Sequence, residues 1–392
     1  MEPYRNTLDE SLHGALVSLI GANHLGYVFS TLGLGLLLYR LGPSALWAIR
    51  ARSGEMKASR AVPDSGLVSI IVPARNEEAN LPNLIASLAQ LQYRNFEVII
   101  VDDASTDNTA AIVRMAAERD ERIKLLSAGE KPAGWVGKTW ACEQGGKAAR
   151  GVWLLFTDAD TLHFPSGLAA AINQMRRGKV DLLSALPNHV EGMPLDPFLG
   201  PFHLLVFLSS SAFSPQAQNR LFAIGQYLLF RSDYYRRQGG HSVVKGSFAE
   251  DLDLAERCFK LRGHYVLDRS GELFGVRMYT SINDFIAGWR RIFRQGFARA
   301  QGLVVVEIFL VIACLMMSFR FARASSYETA LALVGCAVIG LAQKRYGQFS
   351  WLGVLMIPFS VALFTIISAL ALFDRISGRD LRWRGRTYKI KP

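Results

Sequence analysis

Two aspartates one residue apart, Asp158 and Asp160, follow the apolar run Val152-Trp153-Leu154-Leu155-Phe156-Thr157. Mg²⁺ and Mn²⁺ are hard ions that prefer carboxylate oxygen and share their coordination shell with substrate phosphates. A strand that delivers such a pair onto a loop can hold a divalent metal against a diphosphate. Asp-x-Asp alone is weak evidence, because turns use aspartate for their own hydrogen bonds. Here other residues suited to the same ligand accompany it. Lys138 follows Gly134-Trp135-Val136-Gly137, a glycine-bearing stretch that lets an ammonium approach phosphate. Asp102 and Asp103 close another apolar run, where a carboxylate can accept a base imide N–H or ribose hydroxyls. Asp107 can cap the helix expected to start near Thr106, so the earlier pair is not needed for that cap. Glu250 and Asp251 precede Leu252, Leu254 and Phe259, the pattern of a helix start, where acids also complement the helix dipole.

Three apolar runs end in these polar loops: Val68 to Pro73, Phe96 to Val101 and Val152 to Phe156. Between the first two, Leu81, Leu84, Ile85, Leu88 and Leu91 recur at helical spacing, and a second helix is expected at about 108–119. Strands alternating with helices predict an open α/β sheet with ligands at the carboxyl ends of its strands. Gly33-Leu34-Gly35 lies inside an apolar segment, not between strand and helix, and is no dinucleotide fingerprint.

Four motifs in order, Ile-Val-Pro-Ala-Arg-Asn-Glu-Glu at 71–78, Val-Asp-Asp-Ala-Ser-Thr-Asp at 101–107, Thr-Asp-Ala-Asp at 157–160 and Ala-Glu-Asp at 249–251, resemble those of family 2 glycosyltransferases. Three further stretches narrow the likeness to the membrane-bound branch acting on carotenoid-type and hopanoid-type lipids: 137–142, 274–279 and Trp383-Arg384-Gly385-Arg386-Thr387-Tyr388. The resemblance runs from about 65 to 390. It implies an α/β GT-A (Rossmann-like) domain with N-terminal and C-terminal transmembrane helices. It implies a nucleotide-sugar donor, a UDP-sugar first among them, contacted by Pro73, Ala74, Arg75, Glu77, Asp102, Asp103, Lys138 and Asp158. Asp160, with Asp158, would hold Mg²⁺ or Mn²⁺ as a Lewis acid on the leaving diphosphate. Asp251, with Glu250 beside it, would be the general base that takes the acceptor's proton, and attack opposite the diphosphate inverts the anomeric centre. The Gln-x-x-Arg-Trp signature of processive synthases is missing. Trp289-Arg290-Arg291-Ile292-Phe293-Arg294-Gln295 stands in its region, with Arg290, Arg291 and Arg294 as candidate diphosphate or interface residues. That departure favours transfer of a single sugar to a lipid over polymerisation, with polyprenyl phosphate, ceramide or diacylglycerol as alternative acceptors. A non-catalytic nucleotide-binding scaffold is the rival of a different class, disfavoured by the intact acids.

The 392 residues are 50% hydrophobic, with mean hydropathy +0.18, which suits an α/β domain carrying membrane segments. The net charge of +11 clusters beside apolar stretches, at Arg40, Arg50, Arg52, Lys57 and Arg60, at Lys344 and Arg345, and among the residues after 373. With no recognition-helix or aromatic RNA-binding motif near them, these charges point to a membrane surface and not to nucleic acid. The four cysteines lack metal-ligand or disulfide spacing, and of the seven histidines only His163 adjoins the acidic pair. The apolar segment at 25–41 follows an acidic amino terminus, unlike a secretory signal, and reads as a retained anchor. Further apolar stretches lie at about 303–319, 328–343 and 349–373, the last interrupted by Pro358, a mark of a re-entrant or broken helix. A helix from Ile282 to Ala300 carries an apolar stripe of the interfacial kind, and Pro197 to Phe213 suits either an acceptor platform or core. The expected division is an anchor and basic linker at 1–61, a cytoplasmic catalytic domain at 62–300, and membrane segments with a basic tail at 301–392. The expected location is the cell membrane, multi-pass, with catalysis on the cytoplasmic side where nucleotide sugars are found.

Overall fold

The computed structural model describes residues 22–52, 65–190, 192–209, 222–296, 326–379, 381–383 and 386–388. Its centre is a seven-stranded sheet in the order β3-β2-β1-β4-β8-β6-β9. The strands are β1 (Val68–Ala74), β2 (Phe96–Asp102), β3 (Ile123–Ser127), β4 (Trp153–Phe156), β6 (Leu182–Ala185), β8 (Leu228–Arg231) and β9 (Tyr265–Asp268). A smaller sheet joins β5 (Thr161–His163), β10 (Phe274–Val276) and β7 (Asn188–His189). β1 to β4 are parallel, as the strand-helix alternation predicts, whereas β8 runs antiparallel between β4 and β6.

Alternation along β1 explains the layers. Val68, Ile70 and Val72 face a core shared with Leu81, Leu84 and Leu88 of α2 (Leu81–Ala89), while Ile71 faces α4 (Gly137–Ala148). Gly145 permits that second contact, since a Cβ there would lie 2.3 Å from Ile71 and 3.0 Å from Val101. Both expected early helices form, the second as α3 (Thr109–Arg119). Pro73 is tolerated in a central strand because the β1–β4 ladder ends at Ile71 and Phe156, while pairing with β2 continues to Ala74 and Asp102. Beyond Ile71 the two strands diverge, at the point where successive connections leave β1 in opposite directions.

The remaining helices are α1 (Ala22–Arg52), α5 (Gly167–Arg177), α6 (Gly200–Ser209), α7 (Ser232–Arg237), α8 (Glu250–Lys260), α9 (Ile282–Gly296), α10 (Ser326–Gln343) and α11 (Ile357–Ile376). Short strands β11 (Leu381–Trp383) and β12 (Arg386–Tyr388) pair in the tail. Helix α6 is buried along most of its length, which decides for core over surface platform in its part of 197–213. The stripe expected to face a membrane surface on α9 is already covered: Phe285, Trp289 and Phe293 are buried, with Phe202 and Phe364 against them. Ion pairing of Arg290 with Asp374 ties α9 to the last turn of α11. Trp351–Ile376 is the one helical stretch among the described residues long and apolar enough to cross a bilayer, and Pro358 occupies the first turn of α11 after a 3₁₀ turn. The multi-pass arrangement thus lacks support among these residues. The segment at 303–319, Phe297 and Arg299 lie outside the described residues.

Glu97 is the charged keystone of the parallel half. Only 3% exposed, it accepts hydrogen bonds from Ser69 Oγ (2.7 Å), Lys124 Nζ (2.8 Å) and the Arg150 amide (3.0 Å) and guanidinium (2.9 Å). Burial works against its charge, but these donors outweigh it and hold its pKa at about 2. A carboxyl lowered from its ordinary value of 4.5 contributes stability that is full above pH 4.5 and lost as pH falls toward 2. That contribution is about 3 kcal/mol. Glu97→Gln should lower the unfolding free energy by a similar amount at neutral pH and flatten its acid dependence, as measured by denaturant unfolding from pH 7 to pH 3.

Candidate active site

The polar loops of β1, β2 and β4 meet where the sheet opens. β4 stops at Phe156, and the Thr157 amide makes the last bond to Ile71 O (3.0 Å). Thr157 Oγ1 donates to Gln226 O (2.7 Å), Thr161 Oγ1 to Asp158 O (2.7 Å), and the Arg277 amide to Asp160 O (3.1 Å). The backbone of the acidic loop is thereby fixed by β1, by the approach to β8 and by the residue after β10. Both carboxylates are half-buried. His163 is not aimed at them: it is 2% exposed, stacks beside Tyr227 and Phe274, and burial lowers its pKa to about 4.

Lys138 stands in the first turn of α4, which is anchored by the Val136 amide and Thr139 Oγ1 donating to Lys245 O. Its ammonium lies 2.8 Å from Asp158 Oδ1 and 2.9 Å from Glu250 Oε1. Burial by itself works against its charge. The carboxylates of Asp158 and Glu250 more than offset this and raise its pKa well above the ordinary lysine value. One cation thus joins the acidic loop to the start of α8.

Asp251 is next to that pair. Its Oδ2 accepts from the Gly225 amide and its Oδ1 from the Leu252 amide, both at 2.8 Å. Burial, then the negative charge of Glu250, pushes its pKa up to about 7, the range in which a carboxylate can exchange protons near neutrality. Glu250 and Asp251 therefore occupy different environments, the first neutralising Lys138 and the second held by backbone amides. The sequence marks both acids but gives no sign of Gly225, whose contribution is a main-chain N–H.

The loops after β1 and β2 are laced together. Asn76 N donates to Ser105 Oγ (3.1 Å), Thr106 N to Asn76 Oδ1 (2.9 Å), Glu77 N to Thr109 Oγ1 (2.8 Å) and Glu78 N to Asp107 Oδ2 (3.1 Å). Arg75 Nη1 donates to Asp103 O (2.6 Å), bracing the loops, while Glu77 accepts from Asn80 Nδ2 (2.7 Å). Asp107 accepts from the Thr109 amide at the start of α3, as expected of a cap, and Asp102 closes its own turn onto Ser105 N (3.1 Å). Ala104 adopts φ +55° in this turn, a left-handed conformation costing a β-carbon-bearing residue about 1 kcal/mol. Asp103, 5% exposed, and Ala74, 2% exposed, lie at the base of the opening, with Pro73 half-buried beside them.

The three arginines of α9 diverge. Arg290 is engaged by Asp374 and Arg294 is buried, whereas Arg291 acts electrostatically on Tyr279, a side chain that also feels the Asp160 carboxylate. Asp158 and Asp160 supply hard oxygen donors on a fixed loop, a set that fits Mg²⁺ or Mn²⁺. Among the described residues no three His, Cys, Asp or Glu side chains cluster as a complete metal shell, so phosphate and water oxygens would fill the rest.

Residues 69–239 match the family described as Glycosyl transferase family 2, a span that takes in β1, β2, β4 and Lys138. The 4,4'-diaponeurosporenoate glycosyltransferase of Staphylococcus haemolyticus (strain JCSC1435) is 28% identical over 345 residues, covering 83% of this chain and 89% of the relative. Its counterpart in Staphylococcus aureus (strain MRSA252) is 27% identical over 353 residues, covering 86% and 92%. Among solved structures, mannosyltransferase PcManGT from Pyrobaculum calidifontis, in complex with GDP-Man and Mn²⁺, aligns at TM-score 0.49 and 18% identity over 89% of this chain and 99% of that one. Residues 69–239 thus form a Glycosyl transferase family 2 domain carried on the α/β sheet, and along most of its length the chain is similar to glycosyltransferases.

Proposed function

We propose that this enzyme transfers one sugar, with inversion, from a nucleotide sugar to an oxygen at the end of a hydrophobic carotenoid-type lipid, at the cytoplasmic face of a membrane. The observation that carries the reading is the shared ion pair of Lys138 with Asp158 and Glu250, beside Asp251 with its pKa near 7. It sets an ammonium, a carboxylate of the acidic loop and a carboxyl with a raised pKa close together, which supports the three roles assigned below.

In this reading Asp103, Ala74 and the loop braced by Arg75 receive the base and ribose of a UDP-sugar. Lys138 and Arg291 bind the diphosphate. Asp160 and Asp158 would hold Mg²⁺ or Mn²⁺, which when bound supplies Lewis-acid stabilisation of the departing diphosphate. Asp251, held by the Gly225 and Leu252 amides, takes the proton of a hydroxyl acceptor as its oxygen attacks the anomeric carbon. A carboxylate acceptor arrives ionised and needs no such step. The acceptor class rests on the names of the two staphylococcal relatives and on the membrane-directed surface of this chain. That surface includes the exposed side chains Leu32, Leu38, Leu46 and Ile49 of α1, and Trp351, Leu355, Phe359, Ile366 and Ile376 along the stretch that ends in α11. Apolar side chains in such number are costly in water and favourable in lipid.

Two outcomes are expected. With a hydroxyl-ended acceptor, kcat/KM should rise with pH through about 7 and level above it, because only the ionised Asp251 accepts a proton. Asp251→Asn should lower it about 100-fold and flatten that limb. Stopped assays across pH 5.5–9 check this, and an unchanged profile in the variant would remove Asp251 from the reaction. Lys138→Met should raise the donor KM by about 10-fold or more, the usual scale for losing a charged hydrogen bond, with the acceptor KM little changed. Equal effects on both constants would contradict a diphosphate contact.

A further inference from the structure

One buried polar cluster beside the site has no part in the chemistry above. His241, only 1% exposed, lies in a 3₁₀ turn (Gly240–Val244) that follows α7. Its ring packs on Phe156, the last residue of β4, with centroids 4.6 Å apart. Tyr235 of α7 packs on the same Phe156 at 5.0 Å, and its hydroxyl lies 2.7 Å from His241 Nδ1, a hydrogen bond that orients the imidazole. Gly239 and Gly240, at φ +96° and +59°, make the left-handed bend that brings His241 round to this place.

The same turn holds α4, the helix that carries Lys138. The His241 amide donates both to Tyr235 Oη (3.2 Å) and to Glu143 Oε2 (3.1 Å). Just past the turn, Lys245 O accepts from the Val136 amide (2.8 Å) and from Thr139 Oγ1 (2.7 Å). Tyr235 also abuts α4 directly, since a Cβ at Gly146 would come within 2.9 Å of its hydroxyl. His241 and Tyr235 therefore fill the space between α4 and the end of β4. Across that space Lys138 reaches Asp158, two residues beyond Phe156, at 2.8 Å. In a close-packed interior a change in one layer is felt in the next. The imidazole itself carries no proton to the reaction: burial, with the charge of Lys138 adding to it, lowers its pKa to about 3, so the ring is neutral at physiological pH.

We propose that His241 is a positioning residue: its ring, oriented by Tyr235 and seated on Phe156, is the spacer that sets Lys138 between Asp158 and Glu250 for the diphosphate of the donor. The inference rests on the reading of Lys138 as a diphosphate contact and adds the group that keeps it in register with the acidic loop. Removing the ring leaves a space into which α4 or the end of β4 settles, and a misplacement of about 1 Å is enough to cost an enzyme about 100-fold. Because His241 acts through Lys138, its loss should cost nothing further once Lys138 is gone.

The test uses the full chain in detergent and compares the wild type with His241→Ala, His241→Phe, Tyr235→Phe, Lys138→Met and the double variant His241→Ala, Lys138→Met. One readout is reductive methylation of Lys138 in the ligand-free protein, followed by mass spectrometry; the other is UDP affinity with Mn²⁺, by calorimetry. Only the neutral amine is methylated, so loosening the ion pairs enough to lower the lysine pKa by one unit quickens the reaction about 10-fold. His241→Ala should show that gain at Lys138, with the other lysines within twofold, and should weaken UDP about 10-fold. His241→Phe, which puts back a ring, should return both readouts to near the wild-type values. In the Lys138→Met background, His241→Ala should weaken UDP no further. Unchanged methylation of Lys138, an equal gain at all lysines, or UDP losses that add in full would overturn the assignment. If His241→Ala does not fold, Tyr235→Phe decides: quicker methylation of Lys138 supports the spacer and an unchanged rate overturns it. If Lys138→Met leaves UDP affinity as it was while methylation of Lys138 still follows His241, the positioning stands and the diphosphate reading fails.

Discussion

The site depends on one half-buried ammonium. Asp158 and Glu250 come from the end of a strand and the start of a helix 92 residues apart in sequence, and both would repel each other and Asp251 without Lys138 between them. Buried carboxylates without counter-charge are expensive enough to shift their pKa values or the backbone that carries them. Lys138 offsets that cost because α4 is locked to the sheet through Gly145 and to the 245 region through Thr139. In the proposed reading it exchanges these carboxylates for phosphate oxygens once a donor arrives. Asp251 sits outside the ion pair, held by two amides, which is why its carboxyl behaves differently from that of its neighbour in sequence.

Much of this was legible in the sequence, for specific physical reasons. Apolar runs ending in acids signal strands whose carboxyl ends face a ligand, and those at β1, β2 and β4 form as expected. Leucines at helical spacing mark α2, and Asp107 does cap α3. The antiparallel insertion of β8 was not legible, since strand direction is set by a long connection whose path no local pattern encodes. Nor was the contribution of Gly225, which acts through its amide. Interfacial amphipathicity on α9 misled because a stripe of Phe and Trp reads alike whether it meets lipid or other helices. In the structure Phe202 and Phe364 cover it.

Helices α1, α6, α9, α10 and α11 share a further apolar core, separate from those on the two faces of the sheet. The ion pair of Arg290 with Asp374 anchors α9 to α11, and α9 in turn presents Gly288 to Tyr279 and Arg291 to the donor side.

The most direct test of the central claim is label transfer from a panel of nucleotide sugars into organic-extractable lipid. It uses the purified full chain in vesicles of host lipid, with Mn²⁺ or with chelator, and compares wild type with Asp160→Ala. One labelled lipid carrying a single sugar is expected, formed by the wild type with Mn²⁺ and lost on chelation or in the variant. Equal lipid labelling by Asp160→Ala, or by the wild type stripped of divalent ions, would contradict it.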